Sequence, residues 1–168
     1  MTSDVVDINA LPGFTMEPEG GSKRFGGTIA DIDGALGLSM LGAMFVTVEP
    51  GKRAFPFHSH LGNDEMFVIL EGEGTFRIGK TEHKVSAGMV CGAPKGGPDT
   101  AHQLINTGSK PLKYIGISTK QDPDVVEYPD SGKFAALAVF PGEDWMSAHL
   151  RFVGRTDSAV DYWDGEDA

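Results

Sequence analysis

Glycine and proline interrupt this chain so often that it has room only for short regular segments. Of 168 residues, 23 are glycine and 10 are proline, and both break helices while shaping the turns between strands. The runs left between them read as strands. Over residues 38–49, Leu38, Met40, Met44, Val46 and Val48 share one parity and Ser39, Thr47 and Glu49 the other, the alternation of a half-buried strand. Pro50-Gly51 ends that run. Residues 54–60 follow, then a turn at Leu61-Gly62-Asn63-Asp64, then 65–70, apolar at nearly every position, as in a strand covered on both faces. Further runs at 75–78, 82–86, 89–93, 102–106 and 112–118 are set apart by Gly or Pro turns. Short strands at this spacing predict an all-β sandwich or barrel.

Length predicts one domain with a core of its own. Residues 1–36 read as an N-terminal arm, 38–118 as the core barrel, and 119–168 as a C-terminal extension. In the extension, 134–140 suits a strand or a short helix, Trp145 and Trp163 are candidates to pin it to the barrel, and 161–166 suits a hairpin edge or an intersubunit contact. The first residues carry neither a basic nor an apolar leader stretch. No apolar run approaches the ~20 residues that cross a bilayer. The expectation is a cytoplasmic protein without a membrane partner. One cysteine, Cys91, cannot form an internal disulfide and reads as a small buried hydrophobe.

A formal net charge of −10 argues against nucleic acid as a partner. The charge is uneven. Residues 50–115 hold eight Lys or Arg against six Asp or Glu, so the flanks carry a net −12 around a mildly basic middle. A small anionic ligand is compatible with that middle.

The same middle holds His58, His60, Glu65 and His102. Alternation puts His58 and His60 on one strand face, with Phe55 and Phe57 on the other, towards a packed core. Two neighbouring imidazoles fill a core poorly, because each has a ring nitrogen that needs a partner. Glu65 is an odd number of positions from His60, so the reversal at Gly62-Asn63-Asp64 must bring it in from an adjacent strand. Three nitrogens and one oxygen suit one divalent metal ion (Zn, Mn, Fe, Ni or Co), and ligand type alone does not choose among these.

The order Gly51-x6-His58-x-His60-x4-Glu65-x6-Gly72, then Gly88-x5-Pro94-x-Gly96-x5-His102-x3-Asn106, resembles the two motifs of the cupin superfamily. Their usual forms are G-x5-H-x-H-x3,4-E-x6-G and G-x5-P-x-G-x2-H-x3-N. The resemblance covers about residues 38–118, within a single domain spanning 1–168. It implies a double-stranded β-helix, or jelly-roll barrel, in which His58, His60, Glu65 and His102 bind one metal. Two gaps depart from the pattern. The first is one residue longer, and the second adds three residues between Gly96 and His102, which leaves the path of that loop and the places of Lys95 and Asp99 open.

The chain with its Tyr128-Pro129-Asp130-Ser131-Gly132-Lys133 segment also looks like a group of bacterial single-domain cupins labelled sugar-phosphate isomerases by analogy. That implies a metal-dependent sugar or sugar-phosphate isomerase acting on a small polar, anionic or carbohydrate-like substrate inside the barrel. Tyr114 and Lys113 are candidates for its proton-transfer group, as is Glu65 itself. A non-haem Fe(II) dioxygenase and a non-catalytic small-molecule-binding cupin are the alternatives, since one barrel hosts many functions. Arg77 and Lys113 are candidates to hold an anion, while His83 and His149 read as surface or structural residues. The cupin resemblance implies a homodimer that covers its strand edges.

Overall fold

The computed structural model describes residues 2–140 and 147–166, and Trp145 lies outside them. Among the described residues there are thirteen strands, one α-helical turn, α1 (Asp33–Leu36), and two 3₁₀ turns. The strands are β1 (Gly13–Met16), β2 (Gly27–Asp31), β3 (Leu41–Val48), β4 (Ser59–His60), β5 (Glu65–Glu71), β6 (Glu73–Ile78) and β7 (Thr81–Ser86). They continue as β8 (Val90–Ala93), β9 (His102–Ile105), β10 (Leu112–Thr119), β11 (Asp124–Tyr128), β12 (Lys133–Ala138) and β13 (Leu150–Gly154). The segment that suited either strand or helix is thus β12.

One sheet runs β1-β2-β3-β10-β5-β8 and two smaller ones run β13-β12-β11-β4 and β7-β6-β9. An antiparallel bridge between His58 and His102 joins the small sheets into a second layer. The result is an antiparallel jelly roll, a double-stranded β-helix. Its core lies between the layers, where Val46, Tyr114 and Ile69 sit side by side across three strands, with Phe76, Leu104 and Leu112 packed onto them. Ile69 and Leu112 are 1% and 0% exposed, so each contributes about 1.5–3 kcal/mol of apolar burial.

Both flanks enter the sheets. The arm expected over 1–36 supplies β1 and β2, and β2 pairs with β3 so that Ile29 and Ala30 are buried. The extension supplies β11, which pairs with β4 at Val126↔His60 and Glu127↔Ser59. Trp163 does not pin it, being 67% exposed within a run of turns. Leu38 and Met40, expected to begin a buried strand, are 42% and 65% exposed. Among the described residues, β5 is covered on one face only. Phe67 and Ile69 are buried while Met66 is 40% exposed, because the outer face of the large sheet carries Phe45, Ile115, Val68 and Val90 in register across four strands.

The motif glycine Gly72 has a structural reason. Its φ is +79°, and a Cβ there would come within 2.4 Å of the Pro111 carbonyl oxygen, so only glycine fits the β5–β6 turn. Asn106, fully buried, donates from its amide nitrogen to the carbonyls of Val48 and Lys110 and accepts from the Gly108 N–H. It ties β9 to the turn before β10. The three extra residues after Gly96 form a 3₁₀ turn, Pro98–Thr100, against which Gly79 packs, donating its N–H to the Ala101 carbonyl. The turn absorbs the insertion before β9, so His102 keeps its register opposite Ile78. Lys95 and Asp99 are both exposed.

Candidate metal centre

Four side chains expected to converge do so, and they come from both layers. His58 and His102 face each other through two backbone hydrogen bonds, His58 N–H to His102 O at 3.2 Å and His102 N–H to His58 O at 2.7 Å. Their ring centroids are 4.7 Å apart, and those of His58 and His60 are 5.1 Å apart. Glu65 begins β5 on the opposite sheet, paired with Ser118 and Ala93. Its Oε2 is 3.6 Å from His58 Nε2, 3.5 Å from His60 Nε2 and 2.7 Å from His102 Nε2. The donor atoms of His58, His60 and Glu65 all lie within 4.8 Å of one another.

The outward ring nitrogens settle which atoms face inward. His58 Nδ1–H donates to the Pro56 carbonyl at 2.8 Å, and His60 Nδ1–H to Asp124 Oδ2 at 2.6 Å. Both acceptors lack a proton, so each ring carries a hydrogen on Nδ1 and, when neutral, turns a lone pair on Nε2 towards Glu65. His102 Nε2–H donates to Glu65, with Thr100 O 3.3 Å from its Nδ1. For His102 to ligate, its proton must move to Nδ1, and the Thr100 carbonyl is placed to accept it. A tautomer locked by an outer acceptor is how metal-binding imidazoles are held. His58, His60 and Glu65 fit a divalent cation as they stand, and His102 lies beside them as a fourth donor once its proton has moved.

The electrostatics agree with this arrangement. Burial works to raise the Glu65 pKa, but the His102 hydrogen bond and the surrounding imidazoles outweigh it and hold the carboxyl well below its usual range. Burial likewise works against charging His60; the Asp124 hydrogen bond and the Glu65 charge prevail, and the pKa is raised. Asp124 is shifted down: burial opposes its charge, but hydrogen bonding from His60 and from the Gly62 N–H at 2.9 Å outweighs it. His58, His60 and Glu65 keep 15–20% of their side-chain surface accessible, against 3% for His102, so the cluster opens to solvent on one side.

The other candidates have different partners. Tyr114 is 2% exposed in the apolar core, edge-on to Phe67, and burial, then the Glu65 charge, push its phenol pKa up. Lys113 Nζ lies 3.0 Å from Glu71 Oε2. Arg77 grips Asp130 with two hydrogen bonds of 2.7 and 2.9 Å and lies 3.6 Å over the Phe57 ring, which is therefore buried under a guanidinium. Cys91 sits in the core opposite Phe67, where burial pushes its thiol pKa up. His83 is exposed, and His149 stacks on Phe140 with centroids 4.3 Å apart.

Two residues of the centre escape a reading of the sequence. Asp124 orients His60, and Tyr128 stacks against His58 with centroids 6.2 Å apart and rings 29° from parallel. Burial, then the Asp124 charge, push the Tyr128 phenol pKa up. Asp124, Val126 and Tyr128 share one face of β11 by alternation. That much is visible locally, but the pairing of β11 with a strand more than 60 residues earlier is not.

Over nearly its whole length the chain resembles a sugar phosphate isomerase from a cupin superfamily of Silicibacter pomeroyi (TM-score 0.73, 20% identity, 95% of this chain and 98% of that one). It also resembles a Klebsiella pneumoniae protein with a double-stranded β-helix domain (TM-score 0.55, 16% identity, 71% and 92%). In sequence it is 31% identical over 68 residues to an oxalate-binding protein of Thermotoga maritima, covering 40% of this chain and 54% of that one. The chain therefore spans about half the length of this curated relative. The family model of the cupin domain, Cupin_2, matches residues 44–118. The matched residues run from within β3 to within β10 and carry His58, His60, Glu65 and His102, so residues 44–118 match a cupin domain.

Proposed function

We propose that this protein is a divalent-metal-dependent isomerase of a small sugar or sugar phosphate, with His58, His60, Glu65 and His102 as the metal ligands. The observation that carries the reading is the convergence of three imidazole Nε2 atoms on Glu65 Oε2, at 2.7–3.6 Å, inside a centre open on one side. The Zn, Mn, Fe, Ni or Co ion such a set suits would polarise a substrate carbonyl as a Lewis acid. The protein's own residues do the rest. Pro56 and Asp124 hold the tautomers of His58 and His60, Thr100 is placed to accept the His102 Nδ1 proton, and the apolar wall of Phe67 and Phe76, whose rings flank His102 at 5.3 and 6.2 Å, limits water on the core side. Tyr114 and Lys113 are engaged elsewhere, so neither is assigned the proton transfer. The whole-length likeness to a sugar phosphate isomerase supports the substrate class.

The test is interconversion of aldose and ketose phosphates by metal-loaded protein. Absence of turnover across a panel of three- to six-carbon sugar phosphates, with one equivalent of metal bound, would refute it. The oxalate-binding relative favours a second reading, a non-catalytic cupin that holds a small carboxylate on the same metal; tight oxalate binding without turnover would select it. On either reading the protein is a homodimer through the apolar outer row Phe45, Ile115, Val68 and Val90, and light scattering that reports a monomer would remove that part.

A further inference from the structure

The Tyr128-to-Lys133 segment singled out in the sequence forms the tip of the β11–β12 hairpin, and every charged residue in it has a defined situation. Asp130 is held by Arg77. Arg155 donates to the Ser131 carbonyl at 3.3 Å. Tyr128 and Lys133 are paired in register across the hairpin, which puts both on the face that also carries Asp124 and Val126. The Lys133 ammonium lies 4.9 Å over the Tyr128 ring, and that ring stacks on His58. Among the described residues, no carboxylate pairs with Lys133 and no group hydrogen-bonds the Tyr128 hydroxyl. The Lys133 ammonium lies one aromatic ring away from the His–Glu cluster and keeps its N–H donors for an anion.

We propose that Lys133 and the Tyr128 hydroxyl form a subsite for the anionic end of the substrate, selecting phosphorylated over neutral compounds that bind the His–Glu centre through their other end. The ammonium supplies charge and the phenol a directed O–H donor, the combination that binds phosphate or carboxylate oxygens. The Tyr128 ring centroid lies 6.2 Å from that of His58 and 4.9 Å from the Lys133 ammonium, which fixes the subsite next to the centre. The proposal rests on the His–Glu cluster being a metal centre, but not on isomerisation taking place there.

The experiment compares D-glycerate with 3-phospho-D-glycerate, titrated by calorimetry into Co(II)-loaded protein. Both share a 2-hydroxy-carboxylate that can chelate a cation, and only the second carries a phosphate at the far end. Wild type is expected to prefer the phosphorylated acid by about tenfold or more, the scale of one or two charge-assisted hydrogen bonds. Lys133→Gln should erase that preference while leaving glycerate affinity and the Co(II) spectrum unchanged. Lys133→Arg should retain it, and Tyr128→Phe should weaken it with the metal spectrum unaltered. Equal binding of the two acids by wild type, binding of neither, a preserved preference in Lys133→Gln, or loss of Co(II) in that variant would each overturn the proposal. A preference that depends on Lys133 in a protein without aldose–ketose turnover would uphold this inference and sink the isomerase.

Discussion

Replacing Asp124 separates the geometry of the metal centre from its ligand count. Asp124 supplies no inward donor; its Oδ2 accepts the His60 Nδ1–H at 2.6 Å and its Oδ1 the Gly62 N–H at 2.9 Å. Asp124→Ala leaves both donors without their acceptor and lets the His60 ring turn or carry its proton on Nε2, where it blocks ligation. The loss of an outer partner of this kind lowers metal affinity by about 10–100-fold, which is about 1.4–2.8 kcal/mol. Folding should lose about 1–3 kcal/mol, the cost of orphaning half-buried donors of which one is charge-assisted. Asp124→Asn can keep the Gly62 contact, but it then turns an amide N–H donor towards His60 Nδ1 and favours the Nε2–H tautomer that blocks ligation, so it should lose at least as much affinity as alanine while melting closer to wild type. Competition against a chromophoric chelator for Zn(II) or Co(II), with thermal melts of the metal-free proteins, measures both quantities. Metal affinities of both variants within about threefold of wild type, in folded protein, would refute the claim that the extension builds the centre.

Other consequences follow from the same contacts. Glu65→Gln should abolish stoichiometric metal binding, since it removes the only anionic donor among the four ligands; it should also lower the melting temperature of the metal-free protein, because the Glu65 carboxylate is held well below its usual range by its neighbours. The His60 shift gives a pH test. Its folded pKa is raised, so its contribution to metal-free stability is fully present below about pH 6.5 and is lost as pH climbs through the raised value. Metal affinity should rise over the same window as the proton leaves, so melts with chelator and titrations with Zn(II) must trend in opposite directions. Asn106→Ala removes a buried side chain that makes three hydrogen bonds and should cost about 2–4 kcal/mol in chemical denaturation, with metal affinity little changed.

What could be read in the sequence and what could not divide by the range of the forces involved. His58 and His60 sharing a face, the turn that returns Glu65, and the glycine at Gly72 are consequences of local backbone geometry, and spacing alone reveals them. The three-residue insertion before His102 leaves the path of its loop open in the sequence; it closes on itself as one 3₁₀ turn, because a local hydrogen-bonded turn absorbs extra residues without shifting the strand that follows. Pairings made across the fold left no such trace. Arg77 read as a possible inward cation, but its strand parity turns it outward onto Phe57 and Asp130. Tyr114 read as a possible acid or base, but its parity turns it inward among apolar side chains, opposite Val46 and Ile69. Asp124 and Tyr128 read as tail residues, and a strand pairing with Ser59 and His60 made them the wall of the centre. The four proposed ligands lie within the matched 44–118, while the residues that aim His60 and stack on His58 come from a segment outside it. If this barrel differs from its relatives in what it binds, the difference is to be sought first on β11 and its hairpin, where a few exchanges alter the partners of the centre and leave the four ligands in place.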